Sequence, residues 1–140
     1  MNTTSRCCTV EFRVPFHEVD PLQVLWHGHY LKYFEIARAA LFESLGVDLY
    51  EFHKRSQHVF PITRSQVKHI RPLRLGERFT CSARLVESQR KLVVDFEVRL
   101  LPDNELCARG RTEQVAVKFP ELELELVIPE ELRAILGNVE

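Results

Sequence analysis

The chain of 140 residues lacks most of the features that mark a specialised protein class. Its net charge is only −1, from 19 basic and 20 acidic side chains, so no general excess of positive charge favours nucleic acid or an anionic membrane as a partner. No apolar run approaches the roughly 20 residues that span a bilayer. The first residues also lack the apolar stretch of a secretion signal. We therefore expect a soluble cytoplasmic protein that neither binds nucleic acid nor inserts into a membrane.

Cysteine is scarce, and its spacing suits neither a disulfide framework nor a zinc site. The four cysteines are Cys7, Cys8, Cys81 and Cys107. Adjacent cysteines are a poor start for a disulfide framework, and a zinc site would normally show a Cys-x-x-Cys pair. Reduced thiols are expected. A nucleophilic Cys7 or Cys8 is disfavoured, because nothing nearby in the sequence would lower a thiol pKa.

What the chain does contain is a regular alternation of apolar and polar residues. Apolar residues make up 45% and charged residues 28%, as in an ordinary globular protein, and the length predicts a single domain over residues 1–140. Residues 8–16 alternate with period two, which predicts a strand with one buried face: Val10, Phe12, Val14 and Phe16. Residues 30–45 show helical spacing on a broad apolar surface, which predicts a mostly buried helix, and Gly46 is a natural stop.

The remainder of the chain is predicted to be mainly strands. A polar segment over residues 50–58 leads to four of them, at 60–70, 78–86, 91–101 and 105–119, and a short helix at 130–136 ends the pattern. Short connections favour an antiparallel meander. The expected fold is therefore α+β, with a five-stranded antiparallel sheet wrapped around one long central helix. Open sheet edges predict a homodimer or homotetramer.

The loop before the long helix carries a motif. Asp20 is followed seven residues later by His27, and the helix then begins Tyr30-Leu31-x-x-Phe34-Glu35-x-Ala37-Arg38. This pattern resembles the 4-hydroxybenzoyl-CoA thioesterase family and, within it, the branch of acyl-CoA thioesterases associated with the Tol-Pal system. The resemblance implies the hot-dog fold and hydrolysis of acyl-CoA or acyl-carrier-protein thioesters. It implies no cofactor beyond the CoA of the substrate.

The chemistry of thioester hydrolysis gives these residues separate roles. A loop carboxylate such as Asp20 can attack the carbonyl carbon directly or take a proton from water. The first turn of a helix offers unpaired N–H groups and the positive end of its dipole, and one such donor is typically worth about 3 kcal/mol of barrier. The resemblance implies that the amide of residue 27 polarises the carbonyl. The His27 imidazole could orient Asp20 or water, or protonate the leaving thiolate.

Four further residues are predicted to contact substrate: Tyr30, Leu22, Gln23 and Trp26. The sequence departs from the Tol-Pal branch at two places. Phe16 stands where that branch often has tyrosine, so any role of that hydroxyl is absent. Leu22 and Gln23 stand where it often has glycine, which is expected to reshape the acyl pocket.

Competing interpretations are weaker. His17, Glu18, Asp20, His27 and His29 could in principle gather a metal, but they lack a helical ligand spacing, and we predict none. The catalytic carboxylate of some hot-dog thioesterases lies on the helix, which keeps Glu35 as an alternative, although an ion pair with Arg38 is the simpler reading.

Two other features could bear on function. Arg64, Lys68, Arg71 and Arg74 could meet the phosphates of CoA or simply be solvated. The stretch from His58 to Pro61 faintly matches the His-Phe-Pro motif of hot-dog dehydratases, but an extra Val59 interrupts it. One alternative to a thioesterase is a non-catalytic protein that binds acyl thioesters or acts as a dimeric partner in an envelope complex. A hydratase or dehydratase is a less favoured alternative.

Overall fold

One five-stranded antiparallel sheet forms the body of the protein. The computed structural model describes residues 6–137. The expectation that a secretion signal is absent concerns the first residues, which lie largely outside this range. The strands are β1 (Cys7–Arg13), β2 (His58–Val59), β3 (Ile62–His69), β4 (Arg78–Glu87), β5 (Leu92–Leu100), β6 (Glu105–Gln114), β7 (Ala116–Lys118) and β8 (Glu123–Glu125). The large sheet has the order β1-β4-β5-β6-β3.

The long helix α1 (Tyr30–Ser44) lies on this sheet and ends one residue before its predicted end at residue 45. Gly46 follows with a φ of 80°, a left-handed conformation that glycine adopts without steric cost. The core joins the helix to the inward residues of β4, β5 and β6. At its centre the rings of Phe34 and Phe96 stack 4.3 Å apart. These features confirm the predicted α+β arrangement of a sheet around one helix.

The structure corrects two expectations about burial. Leu31 and Ile36 are each about two-fifths exposed, so α1 buries one side rather than most of its surface. Phe16 was expected on the buried face of the first strand but is 77% exposed. The strand ends at Arg13, and residues 16–18 form a single 3-10 turn. Phe16 therefore lies outside the strand and does not follow its period-two alternation.

The predicted four-strand meander is wrong, because only β4, β5 and β6 follow one another in the sheet. β3 pairs with β6 at the opposite edge from β1. Residues 70–77 carry the chain from one side of the sheet to the other, and the buried Leu73 anchors them. The carbonyl of Leu73 accepts a hydrogen bond from Leu25 (2.7 Å). This crossing segment therefore fastens the loop that precedes α1.

The predicted last strand is divided between two sheets. β6 ends at Gln114, and β7 pairs with β2 and β8 in a separate three-stranded sheet. The polar segment before it contains a helix that the pattern did not predict, α2 (Leu49–Ser56), whose first turn is capped by the side chain of Asp48. The last helix, α3 (Glu130–Leu136), has its predicted bounds. Within residues 6–137, no helix is long and apolar enough to cross a membrane.

Candidate active site

Asp20 lies in a tight turn of the loop before α1. Its N–H donates to the carbonyl of Val24 (2.9 Å), and its own carbonyl accepts from Gln23 (2.8 Å). Its Oδ1 accepts the N–H of Leu22 (2.8 Å), the hydrogen bond of an Asx turn. Gln23 closes the turn with a φ of 67°. One carboxylate oxygen, Oδ1, thus holds the turn. The other accepts no hydrogen bond from the described residues.

A buried carboxylate, Glu18, ties this loop to the first turns of α1. It is only 4% exposed, accepts a hydrogen bond from the Tyr33 hydroxyl and forms an ion pair with Lys32. Its carbonyl also accepts the N–H of Trp26 (3.0 Å). A buried charge is tolerated where such partners satisfy it. Glu18 therefore positions the segment that leads from Asp20 to the helix.

Replacing Glu18 by alanine is expected to lower the free energy of unfolding by about 2 kcal/mol, the usual range for a hydrogen bond to a charged group. The substitution leaves the hydroxyl of the buried Tyr33 without its acceptor. Urea denaturation monitored by circular dichroism measures the change. Glu43→Ala is the matched control, since this second glutamate is exposed on α1. A loss below about 0.5 kcal/mol for Glu18→Ala would contradict the anchoring role.

The start of the helix is a single 3-10 turn, His27–His29, that runs directly into α1. The hydrogen-bonded amides begin with His29, which donates to the carbonyl of Trp26 (3.0 Å). The amides of His27 and Gly28 precede it and are the first N–H groups of the helical segment, which have no partner within a helix. A Cβ on Gly28 would lie 2.2 Å from the Trp26 ring, so glycine is required for that ring to cover the turn.

A cavity of about 270 Å³ opens where this helix start meets the crossing segment. Its walls come from the loop, from Tyr30 at the first turn of α1, and from the end of β3 and the residues that follow; they are Asp20, Val24, Leu25, His27, Tyr30, His69, Ile70, Arg71 and Pro72. The structure thus brings together Asp20, His27 and Tyr30 as walls of one cavity. Leu22, Gln23 and Trp26 lie outside these walls: Leu22 is 79% and Trp26 47% exposed, and the Trp26 ring packs against His27 and His29.

Burial changes the acid–base properties of two groups in this cavity. It raises the pKa of Tyr30 to about 12, with a smaller contribution from the nearby Cys107, so this hydroxyl stays protonated and can act as a donor. The pKa of His69 is lowered, first by burial and then by His27. His69 could not be recognised from the sequence, because it stands at the end of a strand about 40 residues after the motif. Only the position of that strand in the sheet places it here.

The alternative residues lie elsewhere. Glu35 is paired with Arg38 at 2.5 Å and lines a different cavity of about 390 Å³. Cys7 lies on the outer face of the sheet, and burial raises its pKa despite the nearby Arg84. His58 packs beside Phe52 in the region of the small sheet, away from the cavity. Among residues 6–137, no three His, Cys, Asp or Glu side chains are placed to share a metal.

The four cations considered for phosphate binding separate in the structure. Arg71 lines the active-site cavity and pairs with Glu105 (2.8 Å). Lys68 lines a shallow cavity of about 630 Å³ on the outer face of the sheet. Arg64 and Arg74 are exposed. Only Arg71 is therefore placed beside Asp20 and His27.

The chain is similar in sequence to known thioester hydrolases. Over 128 residues the chain is 27% identical to a 1,4-dihydroxy-2-naphthoyl-CoA hydrolase of Thermosynechococcus vestitus, covering 89% of this chain and 85% of that one. It is 31% identical to a chloroplastic acyl-acyl carrier protein thioesterase of Arabidopsis thaliana over 72% of its own length, although it spans only about half (54%) of that relative.

The fold is also that of a solved thioesterase. A 1,4-dihydroxy-2-naphthoyl-CoA thioesterase from Synechocystis superposes with a TM-score of 0.82 at 18% identity, over 93% of this chain and 95% of that one. Residues 14–136 match the family described as the thioesterase-like superfamily. The chain therefore belongs to the thioesterase-like superfamily, and its fold is the hot-dog fold.

Proposed function

We propose that this protein hydrolyses acyl-CoA thioesters to a free acid and a thiol. The observation that carries the proposal is the cavity lined by both Asp20 and the start of α1, where the first amides have no helical partner. A thioester needs both an attacking or base-acting oxygen and a site that stabilises the oxyanion. That one cavity is lined by candidates for both roles supports the proposal.

Within this proposal each group has one role. The Asp20 oxygen not used in the turn attacks the carbonyl carbon or activates water, while the amide of residue 27 donates to the carbonyl oxygen. The Tyr30 hydroxyl, kept protonated by its raised pKa, orients the substrate. Arg71 lies at the cavity wall, where it can meet an anionic part of the thiol moiety. These roles need no cofactor, and we propose none.

The acyl group is best supported as aromatic or medium-sized rather than very long. The cavity of about 270 Å³ is slightly smaller than the usual ligand pocket of about 300–1,000 Å³. The hydrolase similar over most of this chain acts, by its name, on a naphthoyl-CoA. We propose that Leu22, Gln23 and Trp26 contact the substrate at the rim of the cavity, since all three are exposed residues of the loop that contributes to its walls. A finer placement in the Tol-Pal-associated branch rests on the motif at residues 20–38.

A panel of thioesters tests the proposal. Purified protein is given short, long and aromatic acyl-CoAs and matching acyl-carrier-protein thioesters, and thiol release is recorded at neutral pH with a chelator present. We expect saturable hydrolysis of at least one CoA thioester. A chain that binds acyl-CoA in calorimetry but releases no thiol above background would instead be the non-catalytic binding protein. Hydration of an enoyl-CoA without thiol release would identify the dehydratase class.

We further propose a homodimer or homotetramer in the cytoplasm. β3 is an edge of the large sheet, and seven of its eight residues are exposed. An exposed edge strand has backbone groups open for pairing. Leu31 and Ile36 on the exposed side of α1 add apolar surface that a second copy would cover. The cavity lies at the end of that same strand, so a partner subunit could complete its walls.

A further inference from the structure

His69 is the last residue of β3 and a wall of the cavity that also holds Asp20. Its ring meets the Tyr30 ring edge to face, with centroids 4.8 Å apart. It also faces the His27 ring, at 6.4 Å and nearly perpendicular. These contacts hold an imidazole in the wall of a cavity that Asp20 and the helix start also line.

The groups around His69 decide which form it takes. His27 faces it from the 3-10 turn and Tyr30 from α1, while the backbone of Cys107 on β6 accepts hydrogen bonds from the two residues that follow His69, at 2.8 and 2.9 Å. Arg71, the other charged group of this wall, is held by Glu105. Two imidazoles this close resist carrying two positive charges. Partial burial against the cavity wall and the nearby His27 both lower the pKa of His69, so it is neutral and able to accept a proton near pH 7.

A purely structural role explains less of this arrangement. A histidine that only fills space beside Tyr30 would need no access to the cavity, but His69 is an exposed residue of its wall. Among the hydrogen bonds of the described residues, none uses a ring nitrogen of His69. An imidazole with both nitrogens open to a cavity that holds a candidate nucleophile is a proton acceptor available for catalysis.

We propose that His69 is a further catalytic residue, the general base for the water that completes hydrolysis. The inference rests on the proposed function and commits it to Asp20 as nucleophile. Asp20 attacks the thioester carbon, and the C–S bond breaks to release the thiolate. Water then attacks the acyl carbon of the mixed anhydride while His69 takes one of its protons. The C–O bond to Asp20 breaks and the carboxylate is restored. The imidazolium then gives its proton to solvent, from which the released thiolate takes one up.

The test is His69→Gln in the full-length protein with the best thioester of the panel. We expect kcat to fall at least 100-fold, within the usual range for general base catalysis. The lost step follows thiolate release, so rapid mixing should show a burst of about one thiol per active site before a slow steady rate. The wild type should show a rise of kcat with pH, with a midpoint below 6.5, that is absent from the variant.

Controls separate this inference from the proposed function. His53→Gln on α2, which is outside the cavity, should keep wild-type kinetics, and His69→Ala should regain activity with added imidazole. Wild-type kcat in His69→Gln would overturn the inference, as would a loss of kcat without a burst or without imidazole rescue. If the wild type hydrolyses no thioester, the proposed function fails. If the wild type hydrolyses a thioester and the His69 variants hydrolyse it equally fast, the proposed function stands and the inference about His69 fails.

Discussion

Replacing Asp20 by asparagine should reduce kcat about 1,000-fold and leave the fold intact. Asparagine keeps an oxygen that can accept the N–H of Leu22, so the turn that now closes on Oδ1 at 2.8 Å persists. It lacks the negative charge needed to attack the thioester or to take a proton. A loss of this size is about 4 kcal/mol of transition-state stabilisation. KM should change by no more than a few-fold, because the cavity walls are unaltered.

The matched control for this substitution is Asp48→Asn. Asp48 also accepts backbone amides through Oδ1, from Tyr50 (3.0 Å) and Glu51 (3.2 Å), but it caps α2 and lies outside the cavity. Asparagine caps helices about as well as aspartate, so kcat and melting temperature should both stay near wild type. Thiol release and thermal unfolding measure the two effects. If Asp20→Asn hydrolyses as fast as Asp48→Asn, Asp20 is not the catalytic carboxylate.

Replacing Gly110 by alanine should destabilise the protein by about 3 kcal/mol, at the upper end of the usual cost of overpacking a core. A Cβ at this position would lie 2.3 Å from a ring carbon of Phe34 and 2.6 Å from the backbone carbonyl of Gln66. Neither neighbour can yield easily. Phe34 is stacked on Phe96 with the rings 3° from parallel, and the carbonyl belongs to β3, which pairs with Gly110's own strand.

Thermal unfolding measures this loss as a fall in melting temperature of roughly 10 °C for a chain of this length. Arg109→Ala is the control on the same strand, since Arg109 is exposed beside the outer cavity. It should change the melting temperature by no more than about 2 °C. A stable Gly110→Ala protein would mean that α1 does not press on β6 as closely as the structure places it.

Features that depend on local sequence patterns, such as α1 and the loop before it, could be predicted from the sequence. The spacing of Tyr30, Phe34, Ala37 and Leu41 predicted α1 and its buried face, because side chains three or four residues apart lie on one side of a helix. The motif predicted that Asp20 and His27 would lie close together, since both belong to one short loop. α2 escaped prediction because only Phe52 of its eight residues is buried, which is too little apolar periodicity to distinguish a helix.

What escaped prediction depends on contacts between distant segments. The place of β3 at the far edge of the sheet cannot be read from strand patterns, which are the same for a meander and for a crossing. His69 was missed for that reason, because it enters the site only through this strand order. Glu18 was considered as a metal ligand, and its anchoring role depends on two partners on α1, Lys32 and Tyr33, about 15 residues further along.

The position of His69 on an edge strand makes the site sensitive to single-residue insertions and deletions. Lys68 and His69 are neighbours in β3 and point to opposite faces of the sheet, so Lys68 lines the outer cavity and His69 the inner one. Pairing with β6 keeps this order, with Lys68 opposite Arg109 and His69 opposite Ala108. Inserting one residue within β3 ahead of Lys68 would move Lys68 into the position of His69 and put an ammonium group into the inner cavity in place of an imidazole. Changes of chain length in this family should therefore be tolerated in the turn after β5 far better than in this edge strand.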